Sequence, residues 1–163
     1  MDKDILFDPS VLTIEQRDKL TEKLLSYTGP VDEDGCEPFT GRSRGGKNKT
    51  VGSMSVGKEL SELFGKKQLN LNPAALALSL KYGHSIQYSD TTETSHLCGF
   101  SLCLNTQHLL QEPKEVNNDR IAHHNMKDLA VVKCDGHLSY DKEKFPPCIL
   151  KKVKPSYIHS QYI

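Results

Sequence analysis

The stretch SHLCGFSLCLNTQHL, at residues 95–109, constrains this chain more than any other. Four residues separate Cys98 from Cys103, and four more separate Cys103 from His108. Two thiols and an imidazole at such close spacing are typical of a structural zinc site, which is completed by a fourth ligand. Cys36, in the turn Asp34-Gly35-Cys36, is the only cysteine upstream, so we predict that it is the fourth ligand. The alternative is a set of inert, buried thiols beside a surface histidine.

The C-terminal third of the chain offers a second ligand set with looser spacing. Cys134, His137 and Cys148 supply three side chains, and either His123 or His124 supplies the fourth. Spacing alone does not choose between these two histidines. With this site, all five cysteines have a role as a zinc ligand.

Composition favours metal over disulfides. An odd number of cysteines cannot pair completely, and the start MDKDILFDPS lacks the basic and apolar regions of a signal peptide. We therefore expect an intracellular protein with reduced thiols. Hydrophobic residues make up only 36% of the chain and tryptophan is absent, so we expect bound metal to help hold the fold. No apolar run approaches the roughly 20 residues that span a bilayer, so we expect no membrane partner.

Two polar residues beside the first ligand set are not needed for zinc binding. His96 lies two residues before Cys98, and Asn117 follows His108 by nine residues. A neutral imidazole can take a proton from water, and an amide oxygen suits a hard cation such as Mg²⁺. Together they suggest a one-metal phosphodiesterase, in which the zinc-bound loop holds the base rigidly. The alternative is a satisfied histidine without a chemical role.

Basic residues are concentrated in one glycine-rich segment, although the net charge of the chain is zero. Between Pro38 and Lys58 there are no acidic residues, and the basic ones are Arg42, Arg44, Lys47, Lys49 and Lys58. A β-ribbon with such side chains can enter the major groove of DNA. Lys66 and Lys67 are further candidates for a phosphate contact. The alternative is a solvated hairpin with unremarkable charges.

Helix and strand signals surround these motifs. Thr13 with Gln16 forms a capping-box pattern and predicts a helix over residues 13–27. Asn72-Pro73 begins a largely apolar helix that Gly83 ends. We also predict a short strand over 85–88 and a helix over 116–129 with Asn117 in its first turn. Arg120 and His124 would lie near the same side of that helix. The predicted fold is α+β, with small antiparallel sheets, a few helices and zinc.

The run SHLCGFSLCLNTQHL followed by NNDR resembles the His-Cys box homing endonucleases, a branch of the ββα-metal (His-Me finger) nucleases. The family pattern is S-H-L-C-x4-C-x-N-x2-H-L followed by N-x2-R. It is met at Ser95, His96, Leu97, Cys98, Cys103, Asn105, His108, Leu109, Asn117 and Arg120. The next zinc ligand of the family falls three residues after the arginine, where this chain has His123 instead of the usual cysteine.

The resemblance implies His96 as the general base, Asn117 as the Mg²⁺ ligand, a ββα-metal active site and two structural zinc ions per chain. It further implies a homodimer that bends and cleaves a near-palindromic DNA site, and a role in intron homing. An intracellular, nuclear location follows from this expectation. Lys66 and Lys67 are the nearest basic residues for the phosphate contact that an arginine makes in the family.

We expect a single domain over residues 1–163. Within it we expect a helical arm or packing helix over 1–30, a DNA-reading β-region over 36–70 and a zinc-bound catalytic core over 95–148. The tail over 151–163 is expected to be either disordered or docked on another surface, such as the dimer interface with a second subunit. The predicted function is site-specific hydrolysis of double-stranded DNA with Mg²⁺. The alternatives are a DNA-binding module without cleavage and a zinc-stabilised protein-interaction domain.

Overall fold

A computed structural model describes residues 5–45, 50–88, 91–126, 134–138 and 142–150. The helices in these ranges are α1 (Ile14–Ser26), α2 (Lys58–Leu63), α3 (Pro73–Tyr82) and α4 (Lys114–Met126). The strands are β1 (Ile5–Phe7), β2 (Ser43–Arg44), β3 (Val51–Gly52), β4 (Met54–Ser55), β5 (Asn70–Leu71), β6 (Ile86–Gln87), β7 (Thr92–His96), β8 (Leu109–Pro113), β9 (His137–Leu138) and β10 (Lys144–Phe145).

The described strands form two-stranded antiparallel pairs: β1 with β6, β2 with β3, β4 with β5, β7 with β8, and β9 with β10. This arrangement confirms the α+β prediction of small antiparallel sheets with a few helices. None of the described helices has the length and apolar character needed to cross a membrane. The predicted tail over 151–163 lies outside the described residues.

The first predicted helix is confirmed as α1. The Thr13 hydroxyl accepts a hydrogen bond from the Gln16 backbone N–H at 3.1 Å, and the Gln16 side chain accepts from the Thr13 backbone at 3.0 Å. Leu20 and Leu24 are buried in the main hydrophobic cluster. α1 therefore packs on the body of the protein through these two leucines.

The second predicted helix is confirmed as α3. Asn72 caps it by accepting from the Ala74 backbone N–H at 2.9 Å, and Gly83 ends it in the left-handed region at φ 76°. Leu76 is fully buried at the centre of the core. The predicted strand after this helix is β6, which pairs with β1, an N-terminal strand that no sequence pattern indicated.

The segment between residues 36 and 70 is less uniformly β than expected. The short strands β2, β3 and β4 are followed by the helix α2, and Lys58 is the first residue of that helix. Gly57, at φ 94°, precedes α2 and provides no side-chain cap. Leu60 of α2 is buried in the main hydrophobic cluster. This helix is therefore stabilised by packing against the core rather than by a capping residue.

Strands β7 and β8 and helix α4 form one continuous ββα unit. β7 pairs antiparallel with β8 from Thr92 opposite Pro113 to His96 opposite Leu109. α4 follows β8 directly and packs on both strands. It begins two residues earlier than predicted, at Lys114, and Asn117 lies in its first turn as expected. The last predicted residues of the helix, 127–129, lie outside the described residues.

The β7–β8 pair places two carboxylates opposite each other, at Glu93 and Glu112. Like charges in directly opposite positions destabilise a strand pair unless other groups neutralise them. α4 supplies a hydrogen-bond donor to one of these carboxylates and a cation to the other. Asn117 hydrogen-bonds Glu93, and Arg120, one turn further on, makes a buried ion pair with Glu112 at 2.5 and 2.6 Å. Polar contacts therefore fix the position of α4 on the strands in addition to apolar packing.

Candidate metal centres and active site

The first predicted ligand set comes together in space. The ligand atoms of Cys36, Cys98, Cys103 and His108 all lie within 4.8 Å of one another. His108 Nδ1 is 3.7 Å from Cys36 Sγ and 3.6 Å from Cys103 Sγ. Tetrahedral zinc with its usual bond lengths to sulfur and nitrogen separates such atoms by about 3.6 Å. The donor types and their separations therefore fit zinc.

Local hydrogen bonds bring Cys36 to this cluster. Asp32 Oδ1 accepts from the backbone N–H groups of Asp34 and Cys36, each at 2.9 Å, and forms a tight turn. Asn105 donates its side-chain N–H to the Gly35 carbonyl at 2.7 Å. A residue 70 positions away in the chain thus anchors the turn to the loop that carries Cys103 and His108.

The second predicted ligand set also comes together, and the histidine in it is His123. The ligand atoms of His123, Cys134, His137 and Cys148 lie within 4.8 Å of one another. His124 instead faces the other way: its Nε2 lies 2.9 Å from the Leu97 carbonyl oxygen, and its ring packs on Gly99. Adjacent helical residues point about 100° apart. His123 therefore joins the second cluster, while His124 packs against the loop that carries Cys98 of the first cluster.

Burial favours the protonated form of one thiol in each cluster when no metal is bound. Burial raises the pKa of the Cys36 thiol to about 11, and it raises the pKa of the Cys148 thiol to about 11 as well. Zinc binds the thiolate form and drives off the proton. The two sets, which combine buried and half-buried thiols and imidazoles, are therefore compatible with zinc at both clusters.

His137 has a carboxylate partner behind it that the sequence did not indicate. Asp119 Oδ2 lies 2.7 Å from His137 Nδ1, while His137 Nε2 lies 3.2 Å from the Sγ atoms of Cys134 and Cys148. A carboxylate on the outer nitrogen of a metal-binding histidine fixes its tautomer and its ring orientation.

We expect Asp119→Ala to weaken zinc binding at the second cluster by about 10- to 100-fold, the usual cost of losing such a partner. Zinc release to a chromophoric chelator measures this effect. Glu115→Ala removes an exposed carboxylate from the same helix and serves as the control. Equal zinc release from the Asp119 and Glu115 variants would contradict the assigned role of Asp119.

His96 lies at the end of β7 and lines a cavity of about 930 Å³. Its Nε2 is buried and has no hydrogen-bond partner within the described protein, and its ring is hydrogen-bonded by the backbone of Cys103. Burial lowers the pKa of His96 to about 4. The imidazole is therefore neutral at pH 7, and Nε2 is the nitrogen left to accept a proton.

This pKa gives a direct expectation for a titration. Burial disfavours the imidazolium, so His96 should remain neutral as the pH falls from 8 through its ordinary value of 6.5. We expect the NMR signals of the His96 ring in the zinc-loaded protein to stay unchanged between about pH 8 and pH 5.5. A titration midpoint above pH 6 would show that the ring is more exposed to water than the structure has it.

Asn117 lines the same cavity as His96. Its Nδ2 donates to Glu93 Oε2 at 2.6 Å, and Glu93 Oε1 lies 3.8 Å from Lys114 Nζ. With the amide nitrogen engaged, Oδ1 is the atom left to bind a cation. A single neutral oxygen fits Mg²⁺, which keeps several of its waters and takes the remaining ligands from phosphate.

Arg120, the last residue of the N-x2-R motif, borders the same cavity, but its guanidinium group is paired with Glu112. It is 1% exposed, and besides its ion pair with Glu112 it donates to Cys148 Sγ at 3.6 Å. It therefore joins β8, α4 and the second cluster. Its partner Glu112 could not be predicted from the sequence, because strand register decides which acid faces the arginine.

The predicted DNA-binding residues lie in several places. Arg42 and Arg44 are exposed at the β2–β3 hairpin, and Val51 of that hairpin lines the cavity. Lys58 lies in a groove between α1 and α2. Lys66 rests over the Tyr88 ring, with Nζ 5.0 Å from its centre. Lys67 does not line the cavity, and Lys47 and Lys49 lie outside the described residues.

A ββα unit flanked by two Cys/His clusters is the arrangement expected of a zinc-stabilised His-Me finger protein. Comparison with protein families matches residues 44–157, more than half of the chain, to the family described as the zinc-binding loop region of homing endonuclease. The chain belongs to this family, as its resemblance to the His-Cys box homing endonucleases predicted. Neither the curated proteins nor the solved structures gave a match.

Proposed function

We propose that this protein is a site-specific endonuclease that hydrolyses double-stranded DNA with Mg²⁺. The observation that carries the proposal is the cavity lined by both His96 and Asn117. One side chain offers an unpartnered, neutral imidazole nitrogen, and the other offers an amide oxygen. Membership of a homing-endonuclease family supports the same reaction class.

In the proposed reaction, His96 Nε2 takes a proton from a water molecule in the cavity. The oxygen of that water forms a bond to the scissile phosphorus as the bond to the 3′-oxygen breaks, and the departing 3′-oxygen takes a proton from a second water molecule. The products are a 5′-phosphate and a 3′-hydroxyl. Asn117 Oδ1 would hold Mg²⁺, which when bound supplies positive charge to the phosphate and to the leaving oxygen.

The two clusters have a positioning role in this proposal. Cys98 and Cys103 belong to the first cluster, and the backbone of Cys103 hydrogen-bonds the His96 ring. The second cluster includes His123 of α4, the helix that also carries Asn117. Zinc at both clusters would therefore hold the base and the cation ligand from opposite ends of the site.

We propose that the β2–β3 hairpin contacts the DNA bases, because it exposes Arg42 and Arg44 while its Val51 lines the cavity. The near-palindromic DNA site that the family resemblance implies has two equivalent halves, which two copies of the chain would contact. We therefore propose a homodimer acting on nuclear DNA in intron homing. Light scattering of the protein with and without DNA would measure the number of chains in the complex.

The test uses a library of randomised DNA duplexes with Mg²⁺, so that no particular target sequence has to be assumed. Ends carrying a 5′-phosphate are captured and sequenced. We expect a recurring sequence around the break that is close to two-fold symmetric, and no breaks when EDTA replaces Mg²⁺. Salt-sensitive binding to the library without breaks would contradict the nuclease and indicate a DNA-binding module.

A further inference from the structure

Glu93 contacts Asn117, the proposed cation ligand, although Glu93 is not itself one of the proposed metal ligands or catalytic residues. It lies on β7, three residues before His96, and its Oε2 accepts a hydrogen bond from Asn117 Nδ2 at 2.6 Å. Both residues line the cavity. The ammonium group of Lys114 lies beside the same carboxylate, with Nζ 3.8 Å from Oε1.

The contact matters because an asparagine amide has two chemically different ends. The oxygen can bind a cation, whereas the NH₂ group can only donate hydrogen bonds. A rotation by 180° about the last side-chain bond exchanges these two ends with little change in shape. A binding site that depends on one amide oxygen therefore needs a neighbour that selects the correct orientation.

An ionised carboxylate makes this selection sharply, because it only accepts hydrogen bonds. With Asn117 in the observed orientation, Glu93 receives a charge-assisted hydrogen bond from Nδ2. In the rotated orientation, Oδ1 would face the carboxylate, so two acceptors would oppose each other without a proton between them. The carboxylate thus favours the orientation that leaves Oδ1 free for a cation.

We propose that Glu93 is a positioning residue that fixes the amide of Asn117 so that Oδ1 is presented to the divalent cation. This inference rests on the proposed function, since it concerns the cation of the same site. Glu93 would not touch the cation or the reacting atoms, and its effect would reach them through Asn117.

The first test measures DNA cleavage as a function of Mg²⁺ concentration. We expect Glu93→Ala to raise the Mg²⁺ concentration for half-maximal activity by about 10-fold or more, with the rate at saturating Mg²⁺ much less affected. Glu93→Gln retains an oxygen that can accept from Nδ2, so we expect it to recover part of the loss. Glu115→Gln removes one negative charge from the same turn of α4 and should leave the Mg²⁺ requirement unchanged.

The second test does not depend on cleavage. In the zinc-loaded protein without DNA, added Mn²⁺ should broaden the NMR signals of the Asn117 side-chain amide. We expect Glu93→Ala to need several times more Mn²⁺ for the same broadening, and Glu115→Gln to match the wild type. Thermal unfolding of each variant shows whether the fold is retained, and Glu93→Gln provides a second variant of nearly the same shape.

The outcomes separate this inference from the proposed function. If the wild type cleaves with Mg²⁺ but Glu93→Ala has the same Mg²⁺ and Mn²⁺ dependence, the role of Glu93 is wrong and the nuclease stands. If the wild type does not cleave but Glu93→Ala weakens the Mn²⁺ effect on Asn117, the nuclease is wrong and the positioning role stands. Absence of any Mn²⁺ effect on wild-type Asn117 would overturn the inference.

Discussion

Replacing Cys103 with serine is expected to remove zinc from the first cluster. We expect the variant to be largely unfolded at room temperature and therefore to show no cooperative thermal transition. Cys103 is fully buried, and its Sγ lies 3.6 Å from His108 Nδ1. Structural zinc contributes roughly 10 kcal/mol or more to the folding of small zinc-binding modules, which is comparable to the whole stability of a typical domain. A chain with so few hydrophobic residues has little else to compensate for that loss.

The measurements for Cys103→Ser are the zinc content per chain and thermal unfolding followed by circular dichroism. We expect the zinc content to fall from two ions to one or none. Gln107→Ala changes an exposed residue in the same loop and should keep both ions. A Cys103→Ser protein that retains two zinc ions and unfolds like the wild type would exclude Cys103 as a ligand.

Replacing His96 with alanine is expected to lower the rate of DNA cleavage by about 10²- to 10⁴-fold, the usual contribution of a general base. DNA affinity should remain within about threefold, because His96 is assigned to proton transfer rather than to phosphate binding. Single-turnover cleavage and a binding titration on the same duplex measure the two quantities separately.

His84 offers a matched control for this experiment. It is a second histidine that lines the same cavity, but it is exposed and its ring packs near Tyr82. We expect His84→Ala to cleave at nearly the wild-type rate. A large loss in His84→Ala, with normal cleavage by His96→Ala, would mean that the base had been assigned to the wrong histidine.

Much of the site could be predicted because its signals are local. The spacing of Cys98, Cys103 and His108 is short enough for one loop to bring them together, so sequence distance reflects spatial distance. Cys36 could be added because it is the only cysteine upstream. The helices α1 and α3 were predictable for a similar reason, since the capping residues that start them lie within the same few positions.

The rest depends on register and helical phase, which a single sequence does not reveal. His123 and His124 are neighbours, and only the rotation of α4 decides which one faces the second cluster. The register of β7 against β8 places Glu93 opposite Glu112, and this register determines which residues of α4 the two carboxylates contact. Helix α2 was missed because it is six residues long and has no side-chain cap, so burial of Leu60 outweighs its weak local signal.

In the proposed mechanism, His96 and Asn117 form one hydrolytic site, with Asn117 holding the cation. The most direct test is a Mg²⁺ titration of DNA cleavage by the wild type and by Asn117→Ala on the same duplex. We predict that the wild type cleaves only with the divalent cation, and that Asn117→Ala loses nearly all activity at any Mg²⁺ concentration while it still binds DNA. Cleavage that proceeds without a divalent cation, or at the wild-type rate in Asn117→Ala, would contradict the account.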